Sequence, residues 1–125
     1  MIARLETPLV LASQSAARAA VLRDAGLAFE QVAASVDEEA VKASLRAEGA
    51  PISEQADLLA ETKALRVSAQ RRGIVLGADQ MLDLNGRAFD KPRSIEEARD
   101  HLLELRGRAH ILHTALVACI DGAAV

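Results

Sequence analysis

The sequence predicts an α/β fold with a mixed, mostly buried sheet flanked by helices. Of its 125 residues, 50% are hydrophobic, which is enough to build the core of one domain. Short apolar runs at residues 8–13 and 73–79 are typical of buried strands, and segments with helical patterning lie next to them. A third observation is the pair Asn85-Gly86 between "MLDL" and "RAF", which indicates an antiparallel hairpin.

The first half of the chain reads as two strand and helix pairs followed by a longer helix. A strand at 8–13 precedes an Ala-rich helix at 16–25, which ends at Gly26. A strand at 29–34 precedes a helix that ends at Gly49. Ser53 is the expected N-cap of a third helix, which runs to Arg72.

The second half reads as strand, hairpin, helix and strand. After the hairpin, Ser94 and Glu97 form a capping box for a helix that ends at Gly107. The run "HILHTALVACI" is apolar at both alternating sets of positions, which predicts a central strand buried on both faces. The turn signal Asp121-Gly122 follows, and the chain stops as a further strand begins. We therefore expect residues 1–125 to form one domain that is truncated at its C-terminus.

Composition and charge exclude several functional classes. The net charge is −3, with acidic and basic residues dispersed, and aromatic residues make up only 2% of the chain. These values argue against nucleic-acid binding and against a polybasic membrane surface. The single Cys119 fits a reducing compartment, and neither a membrane-spanning run nor a signal peptide is recognised. The sequence thus predicts a cytoplasmic location.

The segment "LASQSAAR" suggests a phosphate site where the first strand meets the first helix. A helix N-terminus carries partial positive charge, so Arg18 in the first turn is unfavourable unless an anion binds there. Ser13 and Ser15 add hydroxyl donors. The alternative is that Ser15 is only an N-cap and that Arg18 points into water.

Three further charged residues are candidates on local grounds. Asp79 closes the strand "GIVLGAD" at the carboxyl end, where it either holds a cation, accepts a proton or caps a loop. Lys63 lies on the apolar stripe of its helix and either reaches an anion or extends past the core to solvent. Lys91 occupies a rigid position before a proline, although most loop lysines are simply solvated.

Acidic residues 37–39 stand at the start of the second helix. Most such clusters only complement the helix dipole. The functional alternative is that one of these carboxylates joins Asp79 around a metal ion.

Six motifs together resemble the Maf family of nucleoside triphosphate pyrophosphatases. "LASQSAAR", "VDE", "ETKA", "GADQ", "FDKP" and "LRGRAH" followed by "HTA" occur in that family's order and spacing, from residue 9 to about residue 120. The resemblance implies hydrolysis of a nucleoside triphosphate to the monophosphate and diphosphate with Mg²⁺ or Mn²⁺. It also implies the removal of modified nucleotides and a link to septum formation.

The resemblance assigns roles residue by residue. It implies phosphate binding by Ser13, Ser15 and Arg18, a metal site at Glu38 and Asp79, and catalytic roles for Asp79, Lys63 and Lys91. Gln80 is a substrate-binding candidate and matches the branch associated with 7-methyl-GTP, whereas Ala17 replaces a large side chain that the family usually has there. The base preference is therefore open. Family proteins also continue into a further C-terminal lobe.

Two other functions are compatible with the sequence. The chain could be a nucleotide-binding or protein-interaction module without turnover, since Ala17 departs from the family pattern and the C-terminal lobe is missing. A homodimer is also expected, because an interrupted sheet leaves an edge that can pair with a second copy. Neither nucleic acid nor a membrane is an expected partner.

Overall fold

The computed structural model describes residues 6–125, which form an α/β structure around one six-stranded mixed sheet. The predicted fold class is confirmed. The helices are α1 (Ala16–Asp24), α2 (Glu38–Ala47), α3 (Ile52–Ser68) and α4 (Ile95–Leu105). The strands are β1 (Leu9–Leu11), β2 (Glu30–Gln31), β3 (Ile74–Leu84), β4 (Arg87–Phe89), β5 (Ile111–Ile120) and β6 (Ala123–Ala124). Their order is β2-β1-β3-β5-β6, and β4 pairs with β3.

Strand β3 organises the sheet. Its first residues, Ile74 to Leu76, run parallel to β1, while Ile74 to Asp83 pair antiparallel with β5. Because successive side chains point to opposite faces, one face of β3 presents Val75, Gly77, Asp79 and Met81. Helix α3 covers this face, so a single side of the sheet carries both the main core and Asp79.

The core lies between α3 and the sheet. One cluster joins Val67 on α3 to Val10, Val75 and Cys119 on three neighbouring strands. A second joins Leu59 on α3 to Met81 and Ala115. Burial also raises the pKa of the Cys119 thiol.

Gly77 lets α3 approach β3 closely. A Cβ atom at this position would lie 2.2 Å from the carbonyl oxygen of Ala60 and 2.8 Å from Cβ of Ala64. Only glycine allows the two backbones to come this near. The consequence for the site is that a side chain on α3 can reach β3 across a short gap.

The predicted start of the third helix is wrong. Helix α3 begins at Ile52 with Pro51 as its N-cap, and no side chain caps it. Ser53 instead lies inside the helix and is exposed, because Ile52 is buried in the core and the helix starts two residues earlier than predicted. The helix also ends at Ser68 rather than at Arg72.

The prediction that the last strand is buried on both faces is also wrong. On β5, Ala115 and Cys119 are buried against the α3 face, but Leu112 and Leu116 on the opposite face are 55% and 68% exposed. Within residues 6–125, β6 covers only the end of the outer edge of β5, through Cys119 and Ile120. Hydrophobic patterning predicted which residues favour burial but not whether a second layer covers them.

The turn signals are confirmed. Asn85 and Gly86 have φ values of 51° and 89° and join β3 to β4, and Asp121 and Gly122 have values of 52° and 81° and join β5 to β6. Ser94 is the N-cap of α4, where its Oγ accepts a hydrogen bond from the Glu97 amide. The second strand is shorter than expected, with only Glu30 and Gln31 paired to β1.

None of the helices within residues 6–125 combines the length and the apolar character that crossing a membrane requires.

Candidate functional site

A cleft of about 1120 Å³ lies beyond the carboxyl end of β1. Its walls come from the start of α1, the start of α2, the middle of β3 and the loop after β4. All eight residues to which the resemblance assigns a role line this cleft: Ser13, Ser15, Arg18, Glu38, Lys63, Asp79, Gln80 and Lys91. The fold therefore brings together residues that are up to 78 positions apart, between Ser13 and Lys91.

The loop between β1 and α1 is ordered by its own hydroxyl groups. Ser15 is the N-cap of α1, and its Oγ accepts a hydrogen bond from the Arg18 amide at 3.2 Å. The Ser13 Oγ accepts from the Ser15 amide at 3.1 Å and from Arg18 Nη1 at 3.4 Å. Gln31, which the sequence analysis missed, donates from Nε2 to the Ser13 carbonyl at 2.9 Å. Ser15 thus caps the helix and also lines the cleft, while phosphate binding by this loop stays a prediction.

The prediction that Asp79 closes its strand is wrong. Asp79 lies in the middle of β3, which continues to Leu84 because its second half pairs with β5 and β4. However, β1 pairs with β3 only as far as Leu76, so Asp79 lies just past the point where β1 ends. It therefore still faces the ligand-binding edge of the parallel part of the sheet.

Lys63 bridges two carboxylates. Its Nζ lies 2.7 Å from Glu38 Oε1 and 3.1 Å from Asp79 Oδ1, and it also donates to the Ala78 carbonyl at 3.4 Å. The Lys63 and Asp79 side chains are each 10% exposed, while that of Glu38 is 43% exposed. We call Glu38, Lys63 and Asp79 the Lys63 cluster. The predicted anionic partner of Lys63 is thus present within the chain.

Asp79 Oδ2 is buried and has no hydrogen-bond partner among residues 6–125. Leaving a buried carboxylate oxygen without a partner is unfavourable, so this atom is suited to a ligand that supplies a positive charge or a proton. The donors fit a divalent cation, since Mg²⁺ commonly takes one or two protein carboxylates and completes its shell with water and phosphate oxygens. Residues 6–125 contain no set of three or more acidic, His or Cys ligands for a metal. A cation here would therefore depend on substrate oxygens.

Three cations in the cleft are free of carboxylate partners. Within the described residues, Arg18, Lys91 and Arg93 line the cleft and none forms an ion pair, although carboxylates line it as well. Lys91 and Arg93 are exposed, and Arg18 is half-buried. Unpaired cations at a helix N-terminus are suited to binding an anion with several charges.

A second ionic group holds the segment that carries Lys91. Asp90 Oδ1 lies 3.3 Å from Lys42 Nζ and 3.1 Å from Arg46 Nη2, while its Oδ2 accepts from Arg46 Nη1 at 3.3 Å. We call Lys42, Arg46 and Asp90 the Asp90 cluster. The hydrogen bond from Arg46 holds the pKa of Asp90 below its ordinary value of 3.8, with Lys42 acting in the same direction and partial burial opposing both. The sequence analysis quoted "FDKP" but overlooked Asp90, although its place directly before Lys91 was the available signal.

Gln80 lies at the edge of the cleft and is exposed. Its Nε2 donates to Thr114 Oγ1 on β5 at 2.9 Å. Thr114 belongs to the "HTA" motif, so two separate motifs meet on neighbouring strands at this point. Gln80 and Asp79 are adjacent in a strand, so their side chains point to opposite faces of the sheet. The hydrogen bond to Thr114 holds the Gln80 amide on its face.

Comparison with known proteins shows the family to which the chain is related. A family model described as "Maf-like protein" matches residues 8–124. The chain is 56% identical over 116 residues to a nucleoside triphosphate pyrophosphatase of Caulobacter vibrioides, covering 93% of this chain and 58% of that protein. It is 50% identical over 117 residues to a protein of the same name from Hyphomonas neptunium, covering 94% and 59%.

A third relative has a more specific name. The chain is 44% identical over 115 residues to a 7-methyl-GTP pyrophosphatase of Brucella abortus, covering 91% of this chain and 58% of that protein. In each of these three alignments the chain spans somewhat less than three fifths of the relative's length. The match to the family model nevertheless extends over almost the whole chain. The chain belongs to the Maf family of proteins.

Proposed function

We propose that this chain forms the triphosphate-binding and catalytic part of a nucleoside triphosphate pyrophosphatase. The reaction would be the hydrolysis of a nucleoside or deoxynucleoside triphosphate to the monophosphate and diphosphate. One observation carries the proposal: within residues 6–125, the cations Arg18, Lys91 and Arg93 form no ion pair and share a cleft with the buried Asp79 Oδ2, which has no hydrogen-bond partner there. The names of the relatives support the same activity.

The proposed roles follow from the contacts. Ser13, Ser15 and the N-terminus of α1 would bind phosphate oxygens, with Arg18 and Lys91 neutralising their charge. Glu38 and Asp79 would hold a divalent cation, which supplies further charge neutralisation when it is bound. Asp79 Oδ2 would also accept the proton that a water molecule loses as its oxygen bonds to phosphorus. The bond between the α- and β-phosphates then breaks, and the released diphosphate takes the electron pair.

An assay of diphosphate release tests this proposal. The protein is incubated with a panel of nucleoside triphosphates, including 7-methyl-GTP, dTTP and UTP, with Mg²⁺ or Mn²⁺. We expect release with at least one base and a loss of about 10²- to 10⁴-fold in Asp79→Asn. An unchanged rate in Asp79→Asn would exclude the catalytic role. A nucleotide that raises the melting temperature without forming product would favour the non-catalytic binding module.

A matched pair of variants isolates the phosphate loop. Ser15 and Ser94 are both N-caps whose Oγ accepts a hydrogen bond from an amide three residues on, at 3.2 Å and 3.0 Å. Replacement by alanine should cost each variant about 1 kcal/mol of stability. Only Ser15 lines the cleft, so only Ser15→Ala should weaken the binding of a non-hydrolysable triphosphate analogue. Equal weakening in both variants would show that the loop has no specific role.

We also propose that the chain self-associates through β5. Within residues 6–125 most of its outer edge has no strand beside it, and Leu112 and Leu116 are exposed on the sheet face that α3 does not cover. Light scattering should detect a dimer that Leu116→Lys weakens. A monomer at the highest soluble concentration would contradict this. A cytoplasmic location stays a prediction from the sequence composition, and a part in septum formation stays a prediction from the resemblance.

A further inference from the structure

The Lys63 ammonium is saturated by oxygens of its own chain. An ammonium has three N–H donors, and Lys63 Nζ has three oxygen acceptors, on Glu38, Asp79 and the Ala78 carbonyl. In this arrangement no donor is left for a phosphate. The resemblance implies a catalytic role for Lys63, whereas in the free protein its N–H groups are taken up by oxygens of its own chain.

The same lysine occupies the cation-binding side of both candidate metal ligands. Glu38 Oε1 and Asp79 Oδ1 face a single Nζ at 2.7 Å and 3.1 Å. The Lys63 ammonium already lies against both carboxylates. A divalent cation that binds them must therefore displace this ammonium or bind against its repulsion. Because Lys63 and Asp79 are each 90% buried, water screens this repulsion only weakly.

The second oxygen of the Asp79 carboxylate, Oδ2, provides separate evidence that the Lys63 cluster binds a ligand. It is buried, lines a cleft and has no hydrogen-bond partner among the described residues, even though a lysine lies beside the other oxygen of the same carboxylate. A purely structural ion pair of this burial would be expected to satisfy both oxygens. The free oxygen points to a ligand that is absent when Lys63 is in place.

From these observations we infer that Lys63 competes with the divalent cation for Glu38 and Asp79. The ammonium keeps the metal site weak in the free protein, and a polyphosphate that accepts the Lys63 N–H groups releases both carboxylates for the cation. Arg18, Lys91 and Arg93, which have no carboxylate partners within residues 6–125, would attract that anion first. Metal binding would then be coupled to substrate binding. This inference rests on the proposed function for the identity of the anion and for the cation site at Glu38 and Asp79.

Titration of the protein with Mn²⁺ alone tests the competition. Isothermal calorimetry or the Mn²⁺ electron-spin signal measures the dissociation constant for the unmodified chain, for Lys63→Gln and for Lys42→Gln. We expect Lys63→Gln to bind Mn²⁺ at least tenfold more tightly. Lys42 lines the same cleft and also contacts carboxylates, but not Glu38 or Asp79, so Lys42→Gln should leave the affinity unchanged. Adding Asp79→Asn to Lys63→Gln should remove the gain.

Every outcome of this titration is decisive. An equal or lower affinity in folded Lys63→Gln overturns the inference. If Lys63→Gln is unfolded, circular dichroism should show that millimolar Mn²⁺ refolds it, since the ion binds only the native carboxylate pair. Absence of such recovery also overturns the inference. The titration contains no nucleotide, so its result is independent of the assay of diphosphate release. A protein that releases no diphosphate could still bind Mn²⁺ more tightly as Lys63→Gln, and a protein that does release it could fail to do so.

Discussion

The Lys63 cluster and the Asp90 cluster both connect α2 to another part of the molecule through contacts between carboxylates and cations. In the Asp90 cluster, both oxygens of Asp90 are bonded and its side chain is 39% exposed. In the Lys63 cluster, the Asp79 side chain is 10% exposed and one of its oxygens has no hydrogen-bond partner in the part of the chain that the structure describes. The Asp90 cluster uses both oxygens of its carboxylate to hold the loop after β4 against α2. The Lys63 cluster instead leaves one buried carboxylate oxygen without a partner among residues 6–125. The difference separates residues that hold the cleft together from residues that are available to a ligand.

The largest expected difference between the clusters is in stability. Lys63→Met leaves the buried Asp79 without its partner and should lower the free energy of unfolding by about 3 kcal/mol. Lys42→Met removes a contact beside a carboxylate that Arg46 still binds, so it should cost less than about 1 kcal/mol. Urea denaturation of both variants measures the difference. Similar losses of unfolding free energy in the two variants would contradict the distinction between a buried and a partly exposed cluster.

A second prediction concerns the short distance between α3 and β3 that the Lys63 cluster requires. Gly77→Ala should cost about 2 to 3 kcal/mol, because its Cβ would meet the Ala60 carbonyl and push α3 away from β3. Gly49→Ala is the matched control: its φ is 76° and no atom lies within 4 Å, so only backbone strain of about 1 kcal/mol applies. Thermal and urea unfolding report both values. If Gly77→Ala is no worse than Gly49→Ala, the close approach is not needed.

A third prediction uses the lowered pKa of Asp90. A carboxyl group whose pKa is lower in the folded state stabilises the fold fully above its unfolded pKa, and this contribution is lost as the pH falls through the folded pKa. The difference in unfolding free energy between the unmodified chain and Asp90→Asn should therefore be constant near neutral pH. It should shrink once the pH falls below 3.8, the ordinary value for the group. A difference that does not change on acidification would contradict the assignment to Arg46 and Lys42.

The smallest expected effect is the response to salt. At about 1 M NaCl the screening length is roughly 3 Å, so the contribution of the partly exposed Asp90 cluster should nearly disappear. The loss caused by Lys63→Met should change little, because Lys63 and Asp79 are buried. Repeating the urea series for Lys42→Met and Lys63→Met with and without salt makes the comparison. Equal salt sensitivity would argue that water reaches both clusters alike.

Several features were readable from the sequence because they depend on local chemistry. The hairpin at Asn85 and Gly86 requires positive φ values that few other residue pairs accept. The caps at Ser15 and Ser94 follow from hydroxyl groups placed three residues before a free amide. The resemblance of the motifs also selected eight residues that all line one cleft.

Other features depended on packing that a local pattern does not record. Ser53 is a good cap by residue type, but burial of Ile52 placed the helix start elsewhere. The apolar residues of β5 suggested two buried faces, yet Leu116 is exposed, because a strand cannot specify which layers cover it. Asp90 escaped notice since its partners Lys42 and Arg46 are more than 40 positions away.

The sequence by itself determined the α/β class, the positions of the turns and five of the charged residues that line the cleft, Arg18, Glu38, Lys63, Asp79 and Lys91. It did so because hydrophobic period, turn conformation and side-chain chemistry are properties of short segments. Only the tertiary structure decided that Lys63 meets Glu38 and Asp79 rather than solvent, and that Asp79 Oδ2 is left free. The physical reason is that burial and partnership arise where α2, α3 and β3 converge, and no single segment contains that information.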